Sequence, residues 1–351
     1  MRLKVLHIID ALTTGGAEVL LLDIIDSLVD FENILVILEN KNEFQERTEH
    51  LNVVCLNYRS KLDLFHSVRK LKNIIRLEEI DIVHAHLLSA TFIARLAIDR
   101  QQRLIFSVHN ILSKSAFKVS KMSWLLEKIF YKRWHEAIFV SNQVKLDYEK
   151  QIGIRGSSHI LYNFIGNNFF QKRKLDAAEY AELNCVSVGK LKEQKNFEYL
   201  IDVFSRLGDI PLDIFGDGPL WGRLEQRLSN VRNDNVKLCG RSSDVASTLS
   251  RYNIFILASH YEGFGIALVE AMASNLLCIV SDIPTFREVG KDTCIYFDPQ
   301  EPDSLFQILD EIRSNPLSFF SLIEKSKKRA SLFTKKSYIQ NLIAIYHNQN
   351  I

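Results

Sequence analysis

Apolar and polar positions along the chain follow two alternating rhythms: apolar runs of five to seven residues, and longer stretches with apolar residues three and four apart. The first rhythm predicts strands buried on both faces and the second predicts helices with one buried face. In the first half the runs are LKVLHII at 3–9, NILVILE at 33–39, NVVCL at 52–56, DIVHAH at 81–86, LIFSVH at 104–109, EAIFVS at 136–141 and HILYN at 159–163. Helical spacing fills Glu18 to Leu28, Leu62 to Leu77 and Leu87 to Ile98. Residues 166–183 contain no such run and read as a linker. A second series then follows, with NCVSVG at 184–189, LDIFG at 212–216, VKLCG at 236–240, NIFILAS at 253–259, LCIVSD at 277–282 and CIYFD at 294–298.

Strands alternating with helices predict parallel sheets with crossover helices, so the chain reads as two doubly wound α/β domains, 1–165 and 184–333. Ligands of such sheets lie outside the carboxyl ends of the strands, which places the expected site in a cleft between the domains. The last stretch, 334–351, puts Tyr338, Leu342, Ile345 and Tyr346 on one helical face behind Thr334 as N-cap, so this helix has to pack against something. The basic run Lys325, Lys327, Lys328 and Arg329 before it reads as a solvated helix face.

Composition narrows the class. The 351 residues are 47% hydrophobic and 25% charged, ordinary globular values that exclude a disordered tail protein, a collagenous fibre and a membrane-spanning bundle. Net charge is +2. Splitting after Phe170 gives 22 basic minus 19 acidic residues, +3, and then 22 minus 23, −1. Neither half carries the field that gathers nucleic acid. The five cysteines are odd in number, widely spaced and mostly in apolar runs, and the first stretch carries His7 and Asp10 where a signal peptide is apolar. Both features fit a reducing cytosol.

The strongest local signal is SHYEGFGIALVEAMA at 259–273. A strand ends at Ser259, Gly263 and Gly265 make a tight turn, and a helix opens near Ile266, where free N–H groups and the helix dipole favour phosphate. Glu270 lies in an apolar string and needs a partner, and its two oxygens suit two adjacent hydroxyls; Glu262 suits another sugar hydroxyl. In VGKLKEQKN at 188–196, Lys190 and Lys195 follow a first strand where a diphosphate would be clamped. In TTGGAE at 13–18, Gly15 and Gly16 repeat the strand, glycine turn and helix start. Neither this stretch nor GDGPLWG at 216–222 has the G-x-G-x-x-G spacing, which disfavours a nicotinamide dehydrogenase. His84 and His86 point the same way from one strand, but no carboxylate or cysteine at ligand spacing accompanies them, and no metal is expected. His109, at a strand end, is the better cleft residue.

GGAE near the start, DIVHAH, VHN, FVSN, a glycine-basic loop with a lysine five residues on, GDGP and the Glu-seven-residues-Glu helix occur in order over nearly the whole chain. Together they resemble the retaining GT-B glycosyltransferases of glycosyltransferase family 4. The resemblance implies two Rossmann-like domains facing a central cleft, and transfer of a sugar from a nucleotide-diphosphate sugar, UDP- foremost, with no metal or other cofactor. Carried over by position, it implies that Glu262 holds the donor sugar beside Gly263, Phe264 and Gly265, and that Glu270 binds the ribose diol. It further implies that Lys190 and Lys195 neutralise the diphosphate, that His109 faces the sugar, and that Gly16 lines the phosphates. Gly216 to Pro219, Arg241 and Ser242 would border the base. Similar proteins end in a helix crossing back to the first domain. One departure is Lys190, where most members carry Arg, a planar fork in place of a point charge.

Residues 113–134 hold six basic residues against Glu127, interleaved with Phe117, Met122, Trp124, Phe130, Tyr131 and Trp134. This is either an amphipathic helix packed on its sheet or a surface for anionic lipid at the inner face of the cell membrane. The latter suits a lipid-linked saccharide acceptor in envelope polysaccharide or lipopolysaccharide assembly. Two rival readings stay open: a UDP-sugar 2-epimerase of the same fold, and a noncatalytic nucleotide-sugar-binding protein.

Overall fold

The computed structural model describes residues 2–13, 15–114, 121–170, 182–231, 234–301 and 303–349. The chain divides into two compact units, Met1–Asn163 with Tyr338–Ile351, and Phe164–Ser337. In the first, seven strands run along the chain as β1 (Lys4–Ile9), β2 (Glu32–Ile37), β3 (Asn52–Cys55), β4 (Ile82–His86), β5 (Arg103–Val108), β6 (His135–Phe139) and β7 (Ser158–Ile160). All pairings are parallel and the order is β3-β2-β1-β4-β5-β6-β7. The order reverses at β1 and β4, where His7 lies in register with His84. Every residue of β4 is buried, as a strand covered on both faces requires.

The second unit repeats the plan with six strands, β8 (Cys185–Val188), β9 (Leu212–Phe215), β10 (Val236–Gly240), β11 (Ile254–Leu257), β12 (Leu277–Ser281) and β13 (Ile295–Phe297). Its order is β10-β9-β8-β11-β12-β13, with the reversal at β8 and β11. At such a switch point the two following loops part and leave a crevice at the strand ends. The loops concerned are 189–196 after β8 and 258–265 after β11. The core beneath them, with Phe197, Leu200, Phe204, Ile256 and Leu277 among its members, is fully enclosed.

Helix limits follow local chemistry. The stretch read from Leu62 starts its α-helix at Leu64 (Leu64–Leu77), because Ser60 and Asp63 form a capping box over a 3-10 turn, Lys61–Asp63. The last helix, Lys335–Tyr346, receives the Thr334 cap through the Ser337 N–H at 3.3 Å. Its Tyr338, Leu342, Ile345 and Tyr346 are buried. The Tyr346 hydroxyl reaches His84 Nδ1 at 2.7 Å, and Arg103 donates to the carbonyls of Ile345 and Tyr346. A guanidinium at the negative end of a helix meets both its unpaired carbonyls and its dipole.

Two expectations need correction. Arg329 is not part of a solvated face: it donates to the carbonyls of Val289 at 2.9 Å and Glu288 at 3.2 Å, closing the end of the helix Pro284–Gly290. The stretch 166–183 is not a plain linker throughout, since Asn167–Phe169 form a 3-10 turn and Phe169 is buried. Residues 171–181 lie outside the described residues. In 113–134, residues 115–120 and the side chains of 121–123 also lie outside. Of the rest, Tyr131 is a core residue and Phe130 packs edge-on against Phe92. Leu125, Lys128, Ile129, Arg133 and Trp134 are exposed. Among the described residues no helix is long and apolar enough to cross a membrane.

Candidate active site

In the second unit, β11 delivers Ser259 to Gly265 to the sheet's carboxyl edge, and Gly265 caps the helix Ile266–Ala273 with φ of 91°. A Cβ there would stand 2.8 Å from the Phe286 ring, so both backbone and space require glycine. The loop is fixed from three sides. Thr285 Oγ1 donates to the Glu262 carbonyl at 2.7 Å, Ser281 Oγ to the Ser259 carbonyl at 2.6 Å, and Gln194 Nε2 to the Tyr261 carbonyl at 2.9 Å. Phe264 is buried edge-on against Phe333.

The charged groups converge on this loop. Lys195 Nζ donates to Glu262 Oε1 at 2.6 Å, with side-chain exposures of only 14% and 9%. Ser259 Oγ donates to the same oxygen at 2.8 Å, and Gln194 Nε2 to Oε2 at 3.2 Å. The Lys195 side chain lies over Gly189, whose Cβ would meet its Cε at 3.2 Å. Lys190, in the same loop, is exposed, and no ion pair is found for it among the described residues. Burial pushes the Glu270 carboxyl up to about 7, and the nearby Lys195 ammonium opposes that shift. Glu262, Lys195 and Glu270 thus form one cluster, whereas the sequence placed them in two separate stretches.

The GDGP loop packs closely on the 189–191 loop, where the Leu191 N–H donates to the Asp217 carbonyl at 3.0 Å. A Cβ on Gly216 would stand 1.9 Å from the Gly189 carbonyl oxygen, and one on Gly218 would stand 2.6 Å from that of Leu191. Arg241 pairs with Asp217 at 3.1 Å, joining the end of β10 to the same loop. Ser242 Oγ lies 2.8 Å from Thr248 Oγ1.

In the first unit, Gly15 caps the helix Gly16–Ser27, and a Cβ there would strike the Glu18 carboxylate at 2.3 Å. His109 borders a cavity of about 180 Å³ at the carboxyl ends of β4 and β5, with Asp10, Ser89, Asn110, Glu127 and Tyr148 in its walls. The His109 Nε2 is buried without a hydrogen-bond partner, and burial lowers this histidine to about 4, so its ring is neutral at pH 7. Asp10 takes the Ala90 N–H at 2.8 Å and burial raises its carboxyl to about 6. In the cavity wall Glu127 forms a buried ion pair with Arg95 at 2.5 Å and accepts from the Tyr148 hydroxyl at 2.9 Å.

Sequence reasoning missed Gln194, Ser259 and Thr285, which orient Glu262 and its loop, and Asp10 and Glu127 in the cavity wall. Only Asp10 left a local signal, an acid closing an apolar run.

Two family models match the chain in series, Glycosyltransferase Family 4 over residues 14–167 and Glycosyl transferases group 1 over 171–331. Among similar proteins, the putative glycosyltransferase EpsF of Bacillus subtilis is 35% identical over 126 residues, 34% of this chain and 33% of that one. A Campylobacter jejuni protein is 28% identical over 181 residues, half of each chain. It is named N-acetylgalactosamine-N,N'-diacetylbacillosaminyl-diphospho-undecaprenol 4-alpha-N-acetylgalactosaminyltransferase. The matches thus span a third to a half of these two relatives. Anabaena HepE, in a crystal complex with UDP-glucose, shares the fold with a TM-score of 0.84 at 18% identity, over 99% of this chain and all of that one.

Proposed function

Because the chain belongs to glycosyltransferase family 4, the group 1 glycosyl transferases, we propose that it moves a sugar from a nucleotide-diphosphate sugar to a saccharide acceptor with retention of anomeric configuration and without a metal. The donor is a UDP-sugar, and the acceptor is lipid-linked, in envelope polysaccharide or lipopolysaccharide assembly. The observation that carries the reading is the Lys195–Glu262–Glu270 cluster at the switch point of the second sheet. HepE with UDP-glucose supports the choice of base, and the C. jejuni protein, named for a diphospho-undecaprenol acceptor, supports the choice of acceptor class.

In this reading Lys195 keeps one N–H on Glu262 and directs the others to the diphosphate, with Lys190 as second cation. Positive charge fixed where the leaving group gains negative charge lowers the barrier without reorganisation, a task a metal performs elsewhere. Glu262, oriented by Ser259 and Gln194, accepts hydroxyls of the transferring sugar. Glu270 accepts both ribose hydroxyls, the Gly263–Gly265 turn lets the donor approach the backbone, and Gly216 and Arg241 border the base. Gly16 is assigned to the phosphates and neutral His109 to the transferring sugar. The departing phosphate oxygen takes the acceptor's proton on the face where the new bond forms.

Nucleotide binding tests the assignment. A panel of UDP, GDP, ADP and CMP with their sugars should raise thermal stability for one base, by about 2.7 kcal/mol at 100 times the dissociation constant. A flat response to all of them would remove the donor site. The affinity should also depend on pH. With the folded carboxyl at about 7, ionised Glu270 grows from about a tenth of molecules at pH 6 to about nine-tenths at pH 8. Because the anion is the form that accepts two hydroxyls, affinity should rise roughly tenfold over that interval. Glu270→Gln should bind weakly and without pH dependence; a variant that follows the wild-type curve contradicts the ribose role.

The exposed Leu125, Ile129 and Trp134 beside Lys128 and Arg133 retain the composition of a lipid-facing surface. Flotation at low salt should carry the protein with anionic vesicles and not with neutral ones; equal recovery from both removes the membrane from the proposal.

A further inference from the structure

The register of β1 against β4 brings His7 beside His84, and His86 lies two residues further on the same face of β4. All three side chains are enclosed, with exposures of 0, 0 and 1%. Ring centroids are 5.7 Å apart for His7 and His84, 5.9 Å for His7 and His86, and 4.2 Å for His84 and His86. One ring nitrogen from each lies within 4.8 Å of the others. Only the pair on β4 is adjacent along the chain; the third imidazole comes from 77 residues earlier, through the sheet order.

The hydrogen bonds fix which nitrogens carry lone pairs. Asn33 Nδ2 donates to the Leu28 and Phe31 carbonyls, so its Oδ1 faces His7 Nε2 at 3.3 Å and accepts from it. His7 Nδ1 is left as a buried lone pair with no partner. His84 spans Ser107 Oγ at 2.8 Å and the Tyr346 hydroxyl at 2.7 Å. Both nitrogens of His86 are buried and unpartnered. Native interiors seldom leave so many polar atoms unsatisfied in one place without a ligand for them.

We propose that His7, His84 and His86 bind one transition-metal ion of imidazole preference, Zn(II) foremost, with the Tyr346 phenol as the fourth ligand. Binding requires the ring nitrogens, now within 4.8 Å of one another, to close to the roughly 3.4 Å spacing of a tetrahedral zinc site. The cluster contains no carboxylate, so a divalent charge in this dry place needs an anion, and the phenol beside His84 supplies it. On binding, the Tyr346 O–H bond breaks, its proton passes to solvent, and the phenolate oxygen bonds the ion. Asn33 and Ser107 hold the outer nitrogens of His7 and His84, the arrangement that orients metal-bound imidazoles. The ion ties the helix Lys335–Tyr346 to β1 and β4. It is structural and takes no part in the sugar transfer proposed above.

The test is metal content of the full-length protein after equilibration with Zn(II) and dialysis into metal-free buffer. Wild type should hold about one zinc per chain, with a thermal midpoint raised by about 5 °C or more in saturating Zn(II). His86→Gln, which breaks no hydrogen bond present in the structure, should stay folded and hold none. Tyr346→Phe should bind at least tenfold more weakly and release no proton, while His66→Gln, on the exposed face of its helix, should match wild type. Folded wild type that takes up no zinc, His86→Gln that takes up as much as wild type, or loss of zinc in His66→Gln would each overturn the site.

Discussion

Glu262→Gln is expected to lower kcat for sugar transfer by about 10²–10³, the range found when one preorganised polar group aimed at the reacting centre is removed. The substitution keeps shape, and its amide oxygen in the Oε1 position still accepts from Ser259; only the contact from Gln194 Nε2, which would meet the amide nitrogen, is lost, and Gln194 and Thr285 still hold the loop's carbonyls. What it removes is the negative charge opposite Lys195 and the ionised acceptor for the sugar. Nucleotide affinity should change little, because the proposed function gives the ribose to Glu270 and the diphosphate to the lysines. A fall in kcat with UDP binding preserved separates loss of transition-state stabilisation from loss of the donor site. Lys195→Ala should lose both turnover and affinity, since it removes the cation proposed for the diphosphate and leaves Glu262 only the Ser259 and Gln194 donors; a charged hydrogen bond of this kind contributes about 1.5–3 kcal/mol. Steady-state kinetics and nucleotide titrations of the two variants check this. Near-normal turnover in Glu262→Gln would remove Glu262 from the chemistry.

Glu127→Leu should cost about 3–5 kcal/mol of stability, the penalty for breaking a buried pair and leaving one charge enclosed. Arg95 is 0% exposed and Glu127 6%, at 2.5 Å. The guanidinium also lies 4.4 Å from the Phe106 ring centroid and 4.8 Å from that of Tyr131, so it cannot swing to water without opening that aromatic layer. The thermal midpoint should fall by about 10 °C. Combining it with Arg95→Met should restore most of the loss, because two apolar side chains of similar volume replace the pair. If the single variant melts like wild type, the pair is not holding the helix Lys121–Phe130 to its sheet.

The same residue marks where the sequence was legible and where it was not. The apolar runs located the strands to within one to three residues at either end, since a strand covered on both faces is written in consecutive positions. Glu127 stood out as the one acid in a basic stretch that reads either as a helix packed on its sheet or as a lipid surface; that it points inward to Arg95 was not legible, because Arg95 lies on the helix Leu88–Ala97 and no local pattern records the pairing. The turns that carry Lys195 and Glu262 were each readable as loops at strand ends. Their ion pair was not, because it arises only once β8 and β11 become neighbours. His7 was invisible as a partner of His84 for the same reason. Gln194 and Ser259 matter through the atoms they orient, and neither residue type nor spacing distinguishes them from ordinary loop residues.

Labelled sugar transfer tests the central claim most directly. Each candidate nucleotide sugar, labelled in the sugar, is incubated with the protein and a lipid extract containing polyprenyl-diphosphate saccharides, and the anomeric configuration of any product is read by NMR. The account predicts label passing from a UDP-sugar into the lipid fraction with the donor's configuration retained, and its loss in Glu262→Gln. Folded wild-type protein that binds UDP yet transfers no label from any donor, or that inverts the anomeric centre, would contradict it.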